Sequence, residues 1–295
     1  MSPAAPGKLG LIAGGGPLPI ALAQRCRAAG RPLFVLRLKG FAGPGLEDFE
    51  GAEAGVAEFG KVFELLRRSG CEAVCFAGVV ARPDFAALKP DLRGLKALPG
   101  ALAAARRGDD ALMRYLLGEF EKEGFAVEGA QAVDAGLTLG EGSLGAVAPG
   151  PDDAADIARA LGVARAVGAL DIGQAAVVVD GLVLAVEAQE GTEAMLRRCA
   201  ELPAALRGSP GHWKGVVAKA PKPIQERRID LPVIGPETVE RAAAAGLAGI
   251  AGEAGGVLVV DRARMVEAAD RLGLFVIGVA PEAGVQEAGA QEAGD

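Results

Sequence analysis

The sequence predicts an α/β protein of two domains, with a parallel Rossmann-like sheet in the first domain and a mixed sheet in the second. Its 295 residues are about twice the length of a common single domain. Hydrophobic residues make up 51% and charged residues 23% of the chain, the balance of a globular protein with sizeable cores. Short apolar runs also alternate with stretches of helical periodicity, as in folds built from strand–helix–strand units.

The first half alternates strand and helix along its length. Apolar runs bounded by turn residues predict the strands, and apolar residues at helical spacing predict the helices. Asp110 suits the start of the last helix because an anion there meets the positive end of the helix dipole. The predicted strands are 9–13, 32–38 and 72–77, and the predicted helices are 17–29, 59–69 and 109–123.

The second half predicts a mixed α/β arrangement rather than a simply wound one. Asp180-Gly181 lies between two β-branched runs, which is the pattern of a tight hairpin. The predicted strands are 174–179, 182–187, 216–219, 257–260 and 274–279, with another near Gly249. The predicted helices are 152–167, 192–202, 236–245 and 262–272.

Composition suggests the domain boundaries. Residues 134–150 are rich in Gly, carry few charges and lack a clear period, so they are expected to form a linker. We therefore predict a Rossmann-like N-terminal domain over residues 1–133 and a catalytic C-terminal α/β domain over residues 151–281. Residues 282–295 repeat Gln-Glu-Ala-Gly and are expected to form a disordered tail.

Charge and rare residues exclude several function classes. The chain has 31 Lys and Arg against 38 Asp and Glu, a net charge of −7, so no nucleic-acid partner is expected. The single His, His212, excludes two-His zinc motifs and lies in a turn-rich loop where a solvated side chain is expected. Metal-assisted hydrolysis is then the leading enzymatic option.

The remaining rare features point to a cytosolic protein. The four cysteines match no zinc or disulfide framework and are expected to be buried, reduced thiols. No uninterrupted apolar segment reaches about 20 residues, so no membrane span is predicted.

The first strand is followed by Gly14, Gly15 and Gly16. In phosphate-binding proteins, a glycine loop at this place brings backbone amides close to the phosphate. The dinucleotide fingerprint is incomplete, because Pro19 replaces its third glycine and Arg37 lies where an acid should hold the ribose. An NAD(P)-binding oxidoreductase is thus a disfavoured alternative. Two interpretations stay open: a phosphate or sugar contact by this loop, and a purely structural turn.

Arg82 follows the third strand, at the end where α/β folds bind ligands. Its guanidinium could bind a phosphate bidentately or pair with Asp84 around a proline turn, and both readings stay open.

Two polar segments of the second half suit phosphate chemistry. An apolar strand leads to Glu187, which shares a strand face with Gln189. A carboxylate there needs a partner or a metal. Gly191 lets a ligand approach the helix start, where Thr192 is a suitable N-cap. Residues 219–230 mix cations with carboxylates in an irregular loop, which fits a phosphate-and-magnesium site or an ordinary charged surface loop.

With these residues the chain resembles the LpxI-type UDP-2,3-diacylglucosamine pyrophosphatases of Gram-negative lipid A biosynthesis. The most specific shared set is Lys222-Pro223-Ile224-Gln225 with Arg228 and Asp230-Leu231-Pro232. The resemblance implies two α/β domains that hold the ligand between them. It also implies Mg²⁺-dependent hydrolysis, by water attack on the α-phosphorus, to UMP and 2,3-diacylglucosamine 1-phosphate (lipid X). The other shared stretches are 9–16, 75–85, 108–111, 170–174 and 186–197.

The resemblance also suggests residue roles. Asp230 occupies the position of an Asp that is important for catalysis in the family, and we expect it to bind Mg²⁺ or orient the water. Asp171, Glu187 and Glu190 are candidates for metal ligands or their supports. Glu193 departs from the pattern, since an aspartate is expected there. The expected substrate contacts are Gly15, Gly16, Arg82, Gln174, Gln189, Gly191, Thr192, Lys219, Lys222 and Gln225.

The implied substrate carries two acyl chains, so the resemblance implies a cytoplasmic protein in peripheral contact with the cytoplasmic face of the inner membrane. No basic amphipathic helix is recognisable in the sequence to make that contact. A homodimer is left open. The alternative function is a nucleotide-sugar or lipid-binding protein without catalysis.

Overall fold

The computed structural model describes residues 7–81, 88–223, 226–228 and 231–281. These residues divide into two compact units. Unit 1 contains the described residues up to Leu137 together with residues 226–228, and unit 2 contains the remainder. The first unit therefore includes a short segment from the second half of the sequence.

Unit 1 is built on a five-stranded parallel sheet. Its strands are β1 (Leu9–Ala13), β2 (Leu33–Leu38), β3 (Gly51–Ala54), β4 (Ala73–Ala77) and β5 (Ala126–Val127). Its helices are α1 (Leu18–Ala28), α2 (Phe59–Arg68), α3 (Leu92–Ala105), α4 (Asp109–Lys122) and α5 (Ala130–Val133), followed by a 3₁₀ turn at Ala135–Leu137. The strand order is β3-β2-β1-β4-β5, a doubly wound arrangement. The prediction of a parallel Rossmann-like sheet is confirmed.

Apolar strands and an aromatic cluster form the core of unit 1. Every residue of β1 is buried, as expected for a central strand of a parallel sheet. The Phe120 ring lies 5.0 Å from that of Phe63 and 4.9 Å from that of Phe76, both edge-to-face, the arrangement that aromatic quadrupoles favour. These contacts tie α2 and α4 to the sheet.

The helix α3 is missing from the sequence prediction because it contains helix-disfavouring residues, Gly94, Pro99 and Gly100. Tertiary contacts explain why it still forms. The side chain of Asp91 caps the helix by accepting the Gly94 amide at 2.8 Å. A Cβ on Gly100 would lie 2.6 Å from the Tyr115 ring, so glycine is required for α3 to approach α4.

Unit 2 contains a six-stranded mixed sheet. The strands of unit 2 are β6 (Gly142–Ser143), β7 (Ala175–Val179), β8 (Leu182–Val186), β9 (Val216–Lys219), β10 (Val233–Ile234), β11 (Gly249–Glu253), β12 (Leu258–Val259) and β13 (Phe275–Val279). Its helices are α6 (Asp153–Ala169), α7 (Thr192–Ala200), α8 (Pro236–Ala244) and α9 (Arg262–Leu272). The sheet order is β6-β13-β11-β9-β7-β8, and β10 and β12 form a separate small sheet. Strands β9, β11 and β13 are parallel, while β6, β7 and β8 join antiparallel, which confirms the mixed sheet.

The hairpin predicted at Asp180-Gly181 joins β7 to β8. Both turn residues have positive φ, 49° and 76°, as in the turns that match strand twist. The buried carboxylate of Asp156, on α6, accepts the Asp180 amide at 2.9 Å and the Gly181 amide at 2.7 Å. A helix side chain thus holds the turn in place.

The division into units differs from the predicted boundaries in two places. Part of the predicted linker, residues 134–150, belongs to the folded units, because β6 pairs with β13 and the 3₁₀ turn lies in unit 1. Residues 226–228, predicted within the C-terminal domain, belong to unit 1. The predicted tail, residues 282–295, lies outside the described residues.

The cysteines and the single histidine lie where the sequence predicts. All four cysteines are free and buried, and burial raises the pKa of the Cys75 thiol to about 12. His212 is exposed, as expected. Within the described ranges, no helix has the length and apolarity that crossing a membrane requires.

Candidate functional site

Polar side chains collect at one edge of the unit 2 sheet. Strands β9 and β11 are parallel, β7 runs antiparallel to β9, and β8 runs antiparallel to β7. The ends of β8, β9 and β11 and the start of β7 therefore lie at the same edge. We call this set of residues the polar edge: Gln174, Glu187, Thr192, Lys219 and Glu253.

A buried hydrogen-bonded chain links an ammonium to a carboxylate at the polar edge. Lys219 Nζ donates to Thr192 Oγ1 at 2.8 Å and to the Val233 carbonyl at 3.0 Å. Thr192 Oγ1 in turn donates to Glu187 Oε1 at 3.0 Å. Lys219, Glu187 and Thr192 are 5%, 6% and 8% exposed. Charges buried this deeply need hydrogen-bond partners. The Thr192 hydroxyl is a partner of both, and it thereby connects two of the predicted site residues, Lys219 and Glu187.

The start of β7 adds an acceptor to this edge. The Gln174 amide donates to Glu187 Oε2 at 3.3 Å. Within the described chain, Gln174 Oε1 is buried and has no hydrogen-bond partner. Because buried polar atoms are almost always paired, a ligand donor at this position would satisfy it.

The start of α7 differs in detail from the prediction. Gly191, with φ of 80°, occupies the N-cap, and Thr192 is the first helical residue. The prediction of Thr192 as N-cap is therefore wrong, because its hydroxyl is used between Lys219 and Glu187. The next residue, Glu193, has a raised pKa, chiefly because of its burial and secondly because the Glu237 carboxylate lies nearby.

Two ion pairs accompany the polar edge. Lys222 Nζ lies 2.7 Å from Asp171 Oδ1, so these two predicted residues meet. Glu253, at the end of β11, pairs with Arg165 of α6 at 3.1 Å, and both are largely buried. Sequence reasoning missed Glu253, although it ends an apolar strand in the same way as Glu187.

The predicted metal ligands are distributed over separate partners. Asp171 pairs with Lys222, Glu187 accepts from Thr192, and Glu190 pairs with Arg198 at 2.8 Å. In the part of the chain that the structure describes, no three His, Cys, Asp or Glu side chains are grouped so that they could hold a metal ion.

Three predicted site residues, Arg82, Gln225 and Asp230, lie outside the described residues. Gln189 is exposed, two residues beyond Glu187. The magnesium site therefore stays a prediction.

The glycine loop of unit 1 is tied to the loop after β4. Gly15 N donates to the Val79 carbonyl, and Val79 N donates to the Gly15 carbonyl, both at 2.9 Å. Gly78 has φ of 91°, and a Cβ there would lie 2.7 Å from Pro19 Cγ. These contacts support the structural-turn interpretation for Gly15. Among the described residues, nothing lies within 4 Å of a Cβ built on Gly16, and its predicted phosphate contact stays a prediction.

Residues 226–228 are held on α4 of unit 1. The Glu226 amide donates to Asp110 Oδ1 at 2.8 Å. Arg228 pairs with Glu121 at 2.7 Å and with Glu226 at 3.0 Å, and its hydrogen bond lowers the pKa of Glu226. Sequence reasoning placed Asp110 at a helix start and missed this second role.

Family models for the LpxI N-terminal domain and the LpxI C-terminal domain match residues 8–137 and 140–277. The chain belongs to the LpxI family. It is 63% identical over 275 residues to the UDP-2,3-diacylglucosamine pyrophosphatase LpxI of Caulobacter vibrioides, a match that covers 93% of this chain and 98% of the relative. The resemblance stated from the sequence is thus confirmed. The gap between the two LpxI domain matches also falls where unit 1 ends and unit 2 begins, after Leu137.

Proposed function

We propose that this chain hydrolyses the pyrophosphate bond of UDP-2,3-diacylglucosamine, in lipid A biosynthesis, to UMP and 2,3-diacylglucosamine 1-phosphate. The observation that carries the proposal is the 63% identity to a relative of that name, over 98% of its length. Water attacks the α-phosphorus, and the bond from this phosphorus to the bridging oxygen breaks. The bridging oxygen leaves with lipid X.

The polar edge supports this chemistry through fixed positive charge. The leaving phosphate gains negative charge as the bond breaks, and preorganised cations stabilise such charge better than mobile ones. The Lys219 ammonium is held by Thr192 and by the Val233 carbonyl. We assign Lys219 and Lys222 to phosphate oxygens and Thr192 to positioning the Lys219 ammonium. Gly191 allows the substrate to approach the start of α7.

The same edge offers a contact for the polar part of the substrate. Gln174 Oε1 is a buried acceptor without a hydrogen-bond partner among the described residues. We assign it to an N–H or O–H donor of the nucleotide sugar. An acceptor cannot bind a phosphate oxygen, so it favours a pose that places a sugar or base donor beside Gln174.

We further propose Asp230 as the catalytic carboxylate and Mg²⁺ as the cofactor, on family membership. Mg²⁺ is usually held by one or two carboxylates together with substrate phosphate oxygens. When bound, it neutralises phosphoryl oxygens and lowers the pKa of a coordinated water. The described carboxylates of the polar edge bond to protein partners and form no three-ligand group, so we assign the ion to Asp230 and the substrate phosphates rather than to that edge alone.

Turnover in H₂¹⁸O tests the reaction. The purified protein is incubated with UDP-2,3-diacylglucosamine, Mg²⁺ and detergent, with and without EDTA. We expect ¹⁸O in UMP, unlabelled lipid X, and no turnover with EDTA. Label in lipid X instead would move the attack to the other phosphorus. No UMP with any divalent ion would leave a protein that binds without catalysis.

A matched pair of variants tests the assignment of Asp230. Asp230→Asn should abolish turnover and keep substrate binding, because it removes the charge and little volume. Asp152→Asn is the control, since Asp152 is an exposed aspartate of unit 2. A near wild-type rate for Asp230→Asn would refute its catalytic role.

The location of the chain follows from its proposed substrate. A lipid with two acyl chains resides in a membrane, so we propose a cytoplasmic protein in peripheral contact with the cytoplasmic face of the inner membrane.

A further inference from the structure

Helix α3 presents its large apolar side chains to solvent. Leu92, Leu95 and Leu102 are 84%, 57% and 36% exposed. Helices on the surface of a globular protein normally turn their large apolar residues inward. The residues that α3 buries against unit 1 are all small: Gly94, Ala97, Ala101, Ala104 and Ala105.

The exposed leucines form a continuous stripe. With 3.6 residues per turn, Leu92, Leu95 and Leu102 fall within an arc of about 80°. The exposed Pro99 lies in the same arc. Single exposed leucines are ordinary on protein surfaces, but a stripe of them on one helix face indicates an interaction surface.

Basic residues accompany the stripe. Lys96 and Arg106 are exposed and lie next to or within the arc of the leucines. Besides Arg93, which pairs with Glu123, residues 89–107 contain four basic residues and one acidic residue, whereas the whole chain has a net charge of −7. The acidic residue, Asp91, is used as the N-cap of α3. The outer face of α3 is therefore apolar and cationic on an otherwise acidic protein.

We propose that α3 docks the protein on an anionic lipid bilayer. Leu92, Leu95 and Leu102 enter the headgroup–acyl boundary, while Lys96 and Arg106 contact lipid phosphates, as in helices that lie in the membrane plane. The 14 residues of α3 extend over about 21 Å, which is too short to span the hydrocarbon core. The choice of a lipid rather than a protein occupant rests on the local positive charge, which complements anionic headgroups. It also rests on the proposed function, since a diacylated substrate requires the enzyme to reach a membrane.

Vesicle co-sedimentation tests the docking. Wild-type protein should bind phosphatidylethanolamine–phosphatidylglycerol vesicles, and bind phosphatidylcholine vesicles much more weakly. Replacing all three leucines by serine should weaken binding at least about tenfold, because each removes several buried methylene groups. Each of Lys96→Glu and Arg106→Glu should weaken it about fivefold or more, since one cation near the surface contributes about 1 kcal/mol.

A control variant on another surface distinguishes binding through α3 from nonspecific adsorption to vesicles. Leu182 and Val183 are 56% and 40% exposed on β8 of unit 2, and their double serine variant should bind vesicles like wild type. Circular dichroism should show that every variant is folded. The proposal would be overturned if wild-type protein did not bind anionic vesicles, or if the triple serine variant bound them with wild-type affinity. So would a triple serine variant that turns a lipid-free dimer into a monomer, because the stripe would then face a second copy of this chain.

Turnover in two substrate environments separates this proposal from the proposed function. In detergent micelles, the triple serine variant should keep the wild-type rate within about twofold, as expected for surface substitutions. With substrate embedded in anionic vesicles, its rate should fall together with its binding. An equal loss in micelles would place the leucines in the substrate site and overturn the docking role. Wild-type protein that binds vesicles as expected but releases no UMP would refute the proposed function alone.

Discussion

Replacing Thr192 by valine removes one hydroxyl from the polar edge and keeps the branched shape of the side chain. That hydroxyl accepts from Lys219 Nζ at 2.8 Å and donates to Glu187 Oε1 at 3.0 Å. The N-cap of α7 is Gly191, so the substitution leaves the helix start unchanged. Its effect therefore reports the connection between a buried ammonium and a buried carboxylate.

The contacts that remain set the size of the effect. Leaving a buried polar group without a partner costs about 1–3 kcal/mol, and more for a charged group. Lys219 keeps the Val233 carbonyl at 3.0 Å, and Glu187 keeps the Gln174 amide at 3.3 Å. We therefore expect the free energy of unfolding to fall by about 3 kcal/mol for the two groups together. Thr192→Ser keeps the hydroxyl and loses one methyl group, so its loss should be about 1 kcal/mol.

Urea unfolding measures the difference between these two variants. The single tryptophan, Trp213, packs against the core of unit 2, so its fluorescence follows that unit. With a slope of about 2 kcal/mol per molar urea, the midpoint should fall by about 1.5 M for the valine variant and about 0.5 M for the serine variant. Equal midpoints would refute the inference that the hydroxyl supports two buried charges.

Glu193, Asp156 and the buried cysteines offer three other tests of the structure. Burial raises the pKa of Glu193, so the folded state disfavours its charged form, and this cost to stability is present at pH values above the raised pKa. The melting temperatures of wild type and Glu193→Gln should therefore agree near about pH 4, and the variant should be the more stable by about pH 7. A difference that does not change with pH would contradict this. Asp156→Ala removes two buried hydrogen bonds to the β7–β8 turn. The free energy of unfolding should therefore fall by about 2–4 kcal/mol, and the melting temperature by about 6–12 °C. Asp156→Asn keeps one acceptor, so its melting temperature should fall by less. Burial raises the pKa of Cys71 to about 11 and that of Cys75 to about 12. A thiol reagent such as Ellman's reagent at about pH 8 should therefore label these two cysteines only after unfolding. Rapid labelling of the native protein would contradict their burial.

Elements with strong local signals could be predicted from the sequence. The predicted bounds of β1 and α9 are those of the structure, because an uninterrupted apolar run and a clear helical period identify them. The hairpin at Asp180-Gly181 also formed as predicted, since its turn residues tolerate positive φ. In each case the information lies within a few neighbouring residues.

Elements that depend on distant contacts could not be predicted. The strand β3 has the sequence Gly-Ala-Glu-Ala, which has little strand propensity; its pairing with β2 defines it. The helix α3 forms because its glycines and alanines allow close packing, whereas local propensity counts the same glycines against a helix. Tertiary contact outweighs local preference at both places.

The candidate site shows the same division. Glu187, Thr192 and Lys219 could each be recognised because polar residues end apolar strands or begin a helix. Their connection through one hydroxyl depends on the order of strands in the sheet, which the sequence does not reveal. The pairing of Glu253 with Arg165 joins residues 88 positions apart and was missed for that reason.

The inclusion of residues 226–228 in unit 1 has a consequence for synthesis on the ribosome. Unit 1 otherwise ends at Leu137, so its last contacts, from Glu226 and Arg228 to α4, cannot form until most of unit 2 has been translated. At about 5–20 residues per second, the intervening stretch delays them by about 5–20 s. During synthesis, the Asp110 end of α4 therefore stays exposed until residues 226–228 have been translated. In a chain truncated after Leu137, it stays exposed permanently.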